Sequence, residues 1–321
     1  MQNITIRPRS PDDDERIVDI INTIYTGVMP NSIERYRHGV SFDHRDERNH
    51  VERLIAEVEG ELVGYLLIEK MWQAVRPGAF YASIKVNPAH WGRGIGSRLY
   101  DVLLERIRDL GGARIYSEIR EDIPESDRFA TARGFTRTGH GDRESRLDVT
   151  AADLEGYDGL EERLTREGLR ITTMSAPEAQ EDSFLRAVHD LESRAVLDIP
   201  STEEFGNLWR YEDWREEMLN GPGRAPDAFF IAVDGNKPVG VARLRLYDPL
   251  NATNGFTGVD RAYRGKGVAR ALKARTINWA RHHGVRYIYT GNDVENDRML
   301  AINIRLGYQP VPSQLEIVKE L

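Results

Sequence analysis

An internal repeat constrains this chain more than any other feature. Trp91-Gly92-Arg93-Gly94-Ile95-Gly96 is matched by Arg264-Gly265-Lys266-Gly267-Val268-Ala269, displaced by 173 positions (264 − 91). Val86 and Val259, each ending a strand-like stretch, keep that displacement (259 − 86), as do Gly134-Phe135 and Gly307-Tyr308 (307 − 134). Val63-Gly64 and Val239-Gly240 differ by 176 (239 − 63). A near-constant shift over several elements reads as a duplicated domain, and 321 residues suffice for two. The expected division is 1–150 for the first copy, a connecting helix over 151–167, and 168–321 for the second. Leu154, Tyr157, Leu160 and Leu164 share one face of that helix, and a floppy linker would be richer in Gly, Ser or Pro.

Each copy alternates short strands with amphipathic helices. In the second, Phe256-Thr257-Gly258-Val259 reads as a strand end. Ala269 to Arg281 reads as a helix with Ala269, Leu272, Ile277 and Ala280 on one side. A strand that feeds a glycine turn and then a helix aims backbone N–H groups and the positive end of the helix dipole at one spot. The guest that suits this spot is a phosphate or pyrophosphate. Gly265 and Gly267 allow close approach, because a Cβ would stand in the way, and Arg264 and Lys266 add positive charge. Neither the dinucleotide fingerprint nor the P-loop pattern is met.

Composition narrows the chemistry. The absence of cysteine excludes disulfides, a thiolate nucleophile and Cys-ligated metals. A net charge of −8 argues against broad nucleic-acid binding. No apolar run reaches membrane-spanning length and no signal-peptide core opens the chain, so a cytoplasmic protein is expected. No metal is expected either. Asp12-Asp13-Asp14 reads as a helix start. His38, His44 and His50 lack the spacing of a helix-borne zinc pair and read as part of a solvated loop or helix, and His282-His283 as a helix end.

With both halves read, the chain resembles the GNAT family of acyl-CoA-dependent N-acyltransferases in tandem form. The family signature, Gln/Arg-x-x-Gly-x-Gly/Ala, is met in full by Arg264 to Ala269. The stretch Thr290 to Tyr308, with Asn296, Met299, Asn303 and Leu306-Gly307-Tyr308 in register, is similar to a common ending of that family. In layout the chain is similar to the two-domain acyltransferases typified by mycothiol synthase.

The resemblance implies an α/β fold of two domains. Each would be a bent mixed sheet flanked by helices, with its fourth and fifth strands splayed into a slot for acetyl-CoA. The diphosphate would rest on Arg264, Gly265, Lys266, Gly267, Val268, Ala269 and Arg270. The backbone N–H near Val259 would hold the oxyanion, and Asn296 and Asn303 would meet the pantetheine arm or the thioester. The partners would be an acyl-CoA and an amine acceptor, a small molecule by the lean of an acidic chain with an aromatic-rich segment.

Glu203, Glu204 and Asp213 are candidates for the base that deprotonates the amine, and Trp209, Tyr211 and Trp214 for an acceptor pocket. The tyrosine that many family members use as an acid is replaced by Asn303 and Ala130. Trp91 stands where the first copy should have Arg or Gln, which marks that copy as degenerate. It keeps Val86, Arg93, Gly94 and Gly96 as candidate cofactor contacts. The competing expectation is a non-catalytic acyl-CoA-binding module.

Overall fold

The structure is a computed structural model that describes residues 3–43, 48–157 and 159–321; His44 lies outside the described residues. In chain order the strands and helices are β1 (Ile4–Pro8), α1 (Asp14–Ile24), α2 (Ile33–Phe42), β2 (Val51–Val58), β3 (Glu61–Lys70), β4 (Ala79–Val86), α3 (Ile95–Asp109), β5 (Arg114–Arg120), α4 (Pro124–Thr131) and β6 (Thr136–Asp148). There follow α5 (Leu160–Arg166), β7 (Leu169–Thr173), α6 (Asp182–Val196), α7 (Tyr211–Asn220), β8 (Arg224–Asp234), β9 (Lys237–Leu246), β10 (Asn251–Val259), α8 (Val268–His282), β11 (Tyr287–Asp293), α9 (Asp297–Arg305), β12 (Gln309–Pro310) and β13 (Gln314–Glu320).

The described residues form two compact units that are interleaved in sequence. The N-terminal unit takes its residues from 1–141, 202–207 and 312–321, and the C-terminal unit from 142–201 and 208–311. The contiguous boundaries read from the repeat therefore do not coincide with the units. Two segments of the second copy lie in the N-terminal unit.

The N-terminal sheet runs β1-β2-β3-β4-β5-β13, with the first residues of β6 beyond β13. Alternation on β2, β3 and β4 turns Leu54, Ala56, Leu66, Ile68 and Phe80 toward Leu99, Leu103 and Ile107 of α3. The opposite face packs Ile55 and Tyr65 against Ile17 and Ile20 of α1. Strand β13 runs antiparallel to β5 from Gln314↔Arg120 to Glu320↔Arg114 and buries Ile317 beside Ile119 and Ala130. Its neighbour on the other side is admitted by Gly141, whose φ is +147°; a Cβ there would lie 2.4 Å from Gln314 O.

The segment 202–207 is fastened by Glu203, which is buried. Its Oε1 accepts from Arg114 Nε at 2.6 Å, Tyr116 Oη at 2.7 Å and Arg76 Nη2 at 3.1 Å. Val75 N donates to Glu204 O at 2.8 Å, and Gly206 N to Gln73 O at 2.9 Å.

The C-terminal sheet runs β6-β11-β10-β9-β8-β7, with β12 on the outer side of β6. Helix α8 buries Val268, Ala271, Leu272 and Ile277 on one face. On the other face α6 and α7 pack Phe184, Leu185, Val188, Trp214 and Met218 against Phe229, Ile231 and Val241. The connecting segment is helical only over Leu160–Arg166. Asp153 Oδ1 accepts from Glu155 N, and Gly156 and Gly159 take positive φ, so the chain turns before the helix begins.

The expected splay is present in both units. Strands β4 and β5 pair in parallel only over Ala79–Tyr81 with Arg114–Tyr116, although β4 runs on to Val86. Strands β10 and β11 pair in parallel over Asn251–Thr253 with Tyr287–Tyr289, although β10 runs on to Val259. The second divergence coincides with a bulge between Asn254 and Phe256.

Candidate functional site

Each splay ends at the glycine turn named by the repeat. After Val86, a single helical turn over Pro88–His90 is capped by Asn87, whose Oδ1 accepts from Ala89 N at 3.0 Å. After Val259, the turn over Arg261–Tyr263 is capped by Asp260, whose Oδ1 accepts from Ala262 N at 3.0 Å. Gly94 and Gly267 then occupy the N-cap positions of α3 and α8 with φ of 83° and 87°, a conformation a side chain resists.

The first signature position does the same work in both units. Arg264 Nε donates to Val259 O at 3.0 Å, and Trp91 Nε1 donates to Val86 O at 2.7 Å. Each side chain ties its turn back to the strand end. The reading of Trp91 as a mark of degeneracy is therefore not supported by the geometry of its turn, because indole and guanidinium each supply the one N–H required.

In an extended strand the N–H and C=O of a residue point to one edge, and those of its neighbour to the other. Asp260 N donates to Val239 O at 2.9 Å, toward β9. The N–H of Val259 thus turns to the opposite, splayed edge. Asn87 N donates to Val63 O at 2.9 Å and sets Val86 in the same way.

The guanidinium of Arg264 is also ion-paired with Asp198, as is that of Arg261. These guanidinium groups hold the Asp198 carboxyl below its ordinary value, Arg261 contributing most. Lys266 is exposed, 4.8 Å from the Tyr263 ring centroid, while Arg163 of α5 donates to Lys266 O at 2.7 Å. Val268 is buried and Ala269 partly so. Arg270 lies 4.9 Å from the Tyr157 ring centroid, with Nε enclosed and without a hydrogen-bond partner. In the other unit Arg93 is exposed and Gly96 packs 3.1 Å from Phe129 by its would-be Cβ.

Asn303 is 2% exposed. Its Nδ2 donates to Asn292 Oδ1 at 2.6 Å, and its Oδ1 is buried with no partner. Asn296 caps α9, accepting from Met299 N at 3.4 Å.

Other candidates fall elsewhere. Glu203 and Glu204 belong to the N-terminal unit, so neither lies in the unit that carries Val259. Glu203 is spent on Arg114, Arg76 and Tyr116, and Glu204 is exposed. Asp213 is ion-paired with Arg210 at 2.8 Å. Tyr211 and Trp214 stack at 6.2 Å inside the core, and Trp214 Nε1 donates to buried Glu192 at 2.7 Å, so they are packing residues; Trp209 is 41% exposed. His282 and His283 turn Nδ1 to the carbonyls of Asn278 and Trp279 at 2.7 and 2.8 Å, as a helix end requires.

Two features escaped the sequence reading. Lys273 of α8 is 1% exposed, donates to Asn254 Oδ1 at 2.7 Å, and is pushed down to about 7 by burial. Its position four residues after Ala269 and four before Ile277 places it on the apolar face, and that was the available signal. The second is a cleft of 460 Å³ in the N-terminal unit, bounded by Val86, Trp91, Gly94 and Gly96 and also by Tyr25, Lys85, Glu118 and Arg120.

The model of the acetyltransferase (GNAT) family matches residues 15–135 and 186–308, once over each repeat. The chain belongs to that family. It is 29% identical over 265 residues to the mycothiol acetyltransferase of Amycolatopsis mediterranei, covering 80% of each chain. With that of Geodermatophilus obscurus it is 26% identical over 296 residues, covering 89% of this chain and 87% of the relative. Among solved structures it is similar to a tandem GNAT protein from the clavulanic acid biosynthesis pathway. The TM-score is 0.74 at 20% identity, over 99% of this chain and 98% of the other. A GCN5-related N-acetyltransferase from Sphaerobacter thermophilus gives 0.67 at 20% identity, over 99% and 95%. These neighbours share the tandem fold. The GNAT chain is accordingly an acyltransferase, and the family's acyl donor is acetyl-CoA. No helix among its described residues is long and apolar enough to cross a membrane.

Proposed function

We propose that this chain transfers an acetyl group from acetyl-CoA to the primary amine of a small molecule, with the chemistry in the C-terminal unit. The observation that carries this reading is the unpartnered, buried Oδ1 of Asn303 in the unit that holds the complete signature. A buried acceptor without a donor is unusual in a folded protein, and an amide N–H of a pantetheine arm would satisfy it. The enclosed Nε of Arg270 fits an anionic group at the same turn.

Bound there, a thioester supplies an acyl carbon open to attack and a thiolate as leaving group. The amine nitrogen forms the new C–N bond as the C–S bond breaks, and the proton lost by the amine balances the one taken up by the thiolate. The Val259 N–H, turned to the splayed edge, would donate to the carbonyl oxygen as charge develops on it. Residues 264–270 would hold the diphosphate through backbone N–H groups and the start of α8. A small-molecule acceptor is favoured by the relatives named mycothiol acetyltransferase.

A second reading puts the chemistry in the N-terminal unit, and the 460 Å³ cleft beside Val86 favours it. Turnover separates the two. Under the first reading Arg264→Ala and Asn303→Ala lower acetyl transfer while Trp91→Ala leaves it within twofold of the parent. The reverse pattern selects the second reading.

A further inference from the structure

The N-terminal cleft holds a feature that acetyl-CoA binding alone leaves without a role. Arg120 lines it, with its side chain 2% exposed. Its Nε and Nη2 donate to Asp122 at 2.7 and 2.6 Å, and Nη2 also to Thr26 O at 3.2 Å. Its Nη1 is enclosed and finds no hydrogen-bond partner among the described residues. Lys85, next to the strand-end Val86, lines the same cleft and donates to the Tyr25 hydroxyl.

Tyr25 gathers both cations. Lys85 Nζ lies 4.4 Å and the Arg120 guanidinium carbon 5.4 Å from its ring centroid. The acidic groups nearby are partly committed. Asp122 is 42% exposed and shares its charge with solvent, Glu125 pairs with Arg128 at 2.8 Å, and Glu118 accepts from Tyr81 Oη at 3.2 Å.

We propose that this cleft takes a ligand bearing a carboxylate, which Arg120 Nη1 and Lys85 Nζ bind together. A guanidinium and an ammonium that line one cleft and flank one tyrosine ring suit the two oxygens of a carboxylate, and each would gain a charge-assisted hydrogen bond. The carboxylate can come from the acyl chain of a dicarboxylic acyl-CoA or from an amino-acid acceptor. The inference does not depend on which unit performs acetyl transfer, and only its acyl-chain form requires a CoA ester in this cleft.

Calorimetric titration of the full chain with two matched pairs separates these sources: succinyl-CoA against butyryl-CoA, and L-alanine against L-alaninamide. In at least one pair the carboxylate should bind about tenfold tighter than its neutral counterpart. Arg120→Gln and Lys85→Met should each abolish that preference while acetyl-CoA binding persists. Lys85→Met keeps the test decisive should Arg120→Gln fail to fold. No preference in either pair, or a preference that survives both substitutions, overturns the proposal. If no CoA ester binds at all, the proposed function fails and the alanine pair alone decides the carboxylate site.

Discussion

Trp91 and Arg264, equivalent positions of the two repeats, make one and the same contact. Each donates a side-chain N–H to the carbonyl of the valine that ends the preceding strand, at 2.7 Å to Val86 and 3.0 Å to Val259. What the signature position requires is thus a donor that closes the turn. Arg264→Ala should raise the acetyl-CoA KM roughly tenfold, from loss of one hydrogen bond to a positively charged donor. Arg93→Ala, at an exposed side chain, should leave it within about twofold. Steady-state kinetics at varied acetyl-CoA checks both, and equal losses would contradict the assignment of chemistry to the C-terminal unit.

The same contact predicts an unusual rescue. Trp91→Ala should weaken acetyl-CoA binding to the N-terminal cleft by about tenfold, and Trp91→Arg should restore it, because arginine can reach the Val86 carbonyl as Arg264 reaches Val259. In the background of Arg264→Ala, where the C-terminal unit is already weakened about tenfold, calorimetric binding reads the change that Trp91→Ala and then Trp91→Arg add.

Lys273 should make stability depend on pH on the alkaline side. A lysine titrates near 10.4 in an unfolded chain, whereas here burial brings it down to about 7. Between those values the unfolded state binds more protons, so stability rises with pH across that window and falls as pH drops back toward 7. Lys273→Met removes the buried amine, and Thr257 Oγ1, at 3.0 Å, still donates to Asn254 Oδ1. The variant should be more stable than the parent at pH 7, on the order of 3 kcal/mol, with the advantage fading above about pH 10. Urea unfolding at pH 7, 8.5 and 10 checks the slope.

Glu203 should act as the fastener of a chain segment rather than as a base. Burial raises its carboxyl, but the Tyr116 hydroxyl and the guanidinium groups of Arg76 and Arg114 outweigh that and hold it below the ordinary glutamate value. Its stabilisation is therefore present above the unfolded value near 4.3 and is lost as pH falls through the lower folded value. Glu203→Gln leaves Arg114 buried without its counter-charge and should destabilise the N-terminal unit by about 3–5 kcal/mol. Calorimetric melts read this, and acid unfolding of the variant should be flatter than that of the parent.

Much of this architecture could be read from the residues. The 173-residue displacement disclosed two copies, and the Gly94 and Gly267 turns stand where the strand–glycine–helix pattern put them. What escaped was long-range exchange. Nothing local in 314–320 says that it pairs with β5, more than 190 positions away in the register Gln314↔Arg120, because a strand's period-2 pattern does not name its partner. Glu203 stands as an uncommitted acid in the sequence for a similar reason, since its partners Arg76, Arg114 and Tyr116 all come from the first copy. The apolar spacing of Leu154 and Tyr157 suits a longer connecting helix, but the backbone obeys Gly156 and Gly159, and the helix spans only Leu160–Arg166.

The most direct test is release of CoA thiol, followed with a thiol-reactive dye, from acetyl-CoA and a panel of small primary amines. The chain contains no cysteine, so the dye reports CoA alone. Amine-dependent thiol release that falls, at acetyl-CoA below its KM, in Arg264→Ala and Asn303→Ala but is kept in Trp91→Ala is the predicted result. Binding of acetyl-CoA with no thiol released for any amine would contradict an N-acetyltransferase and leave an acyl-CoA-binding protein.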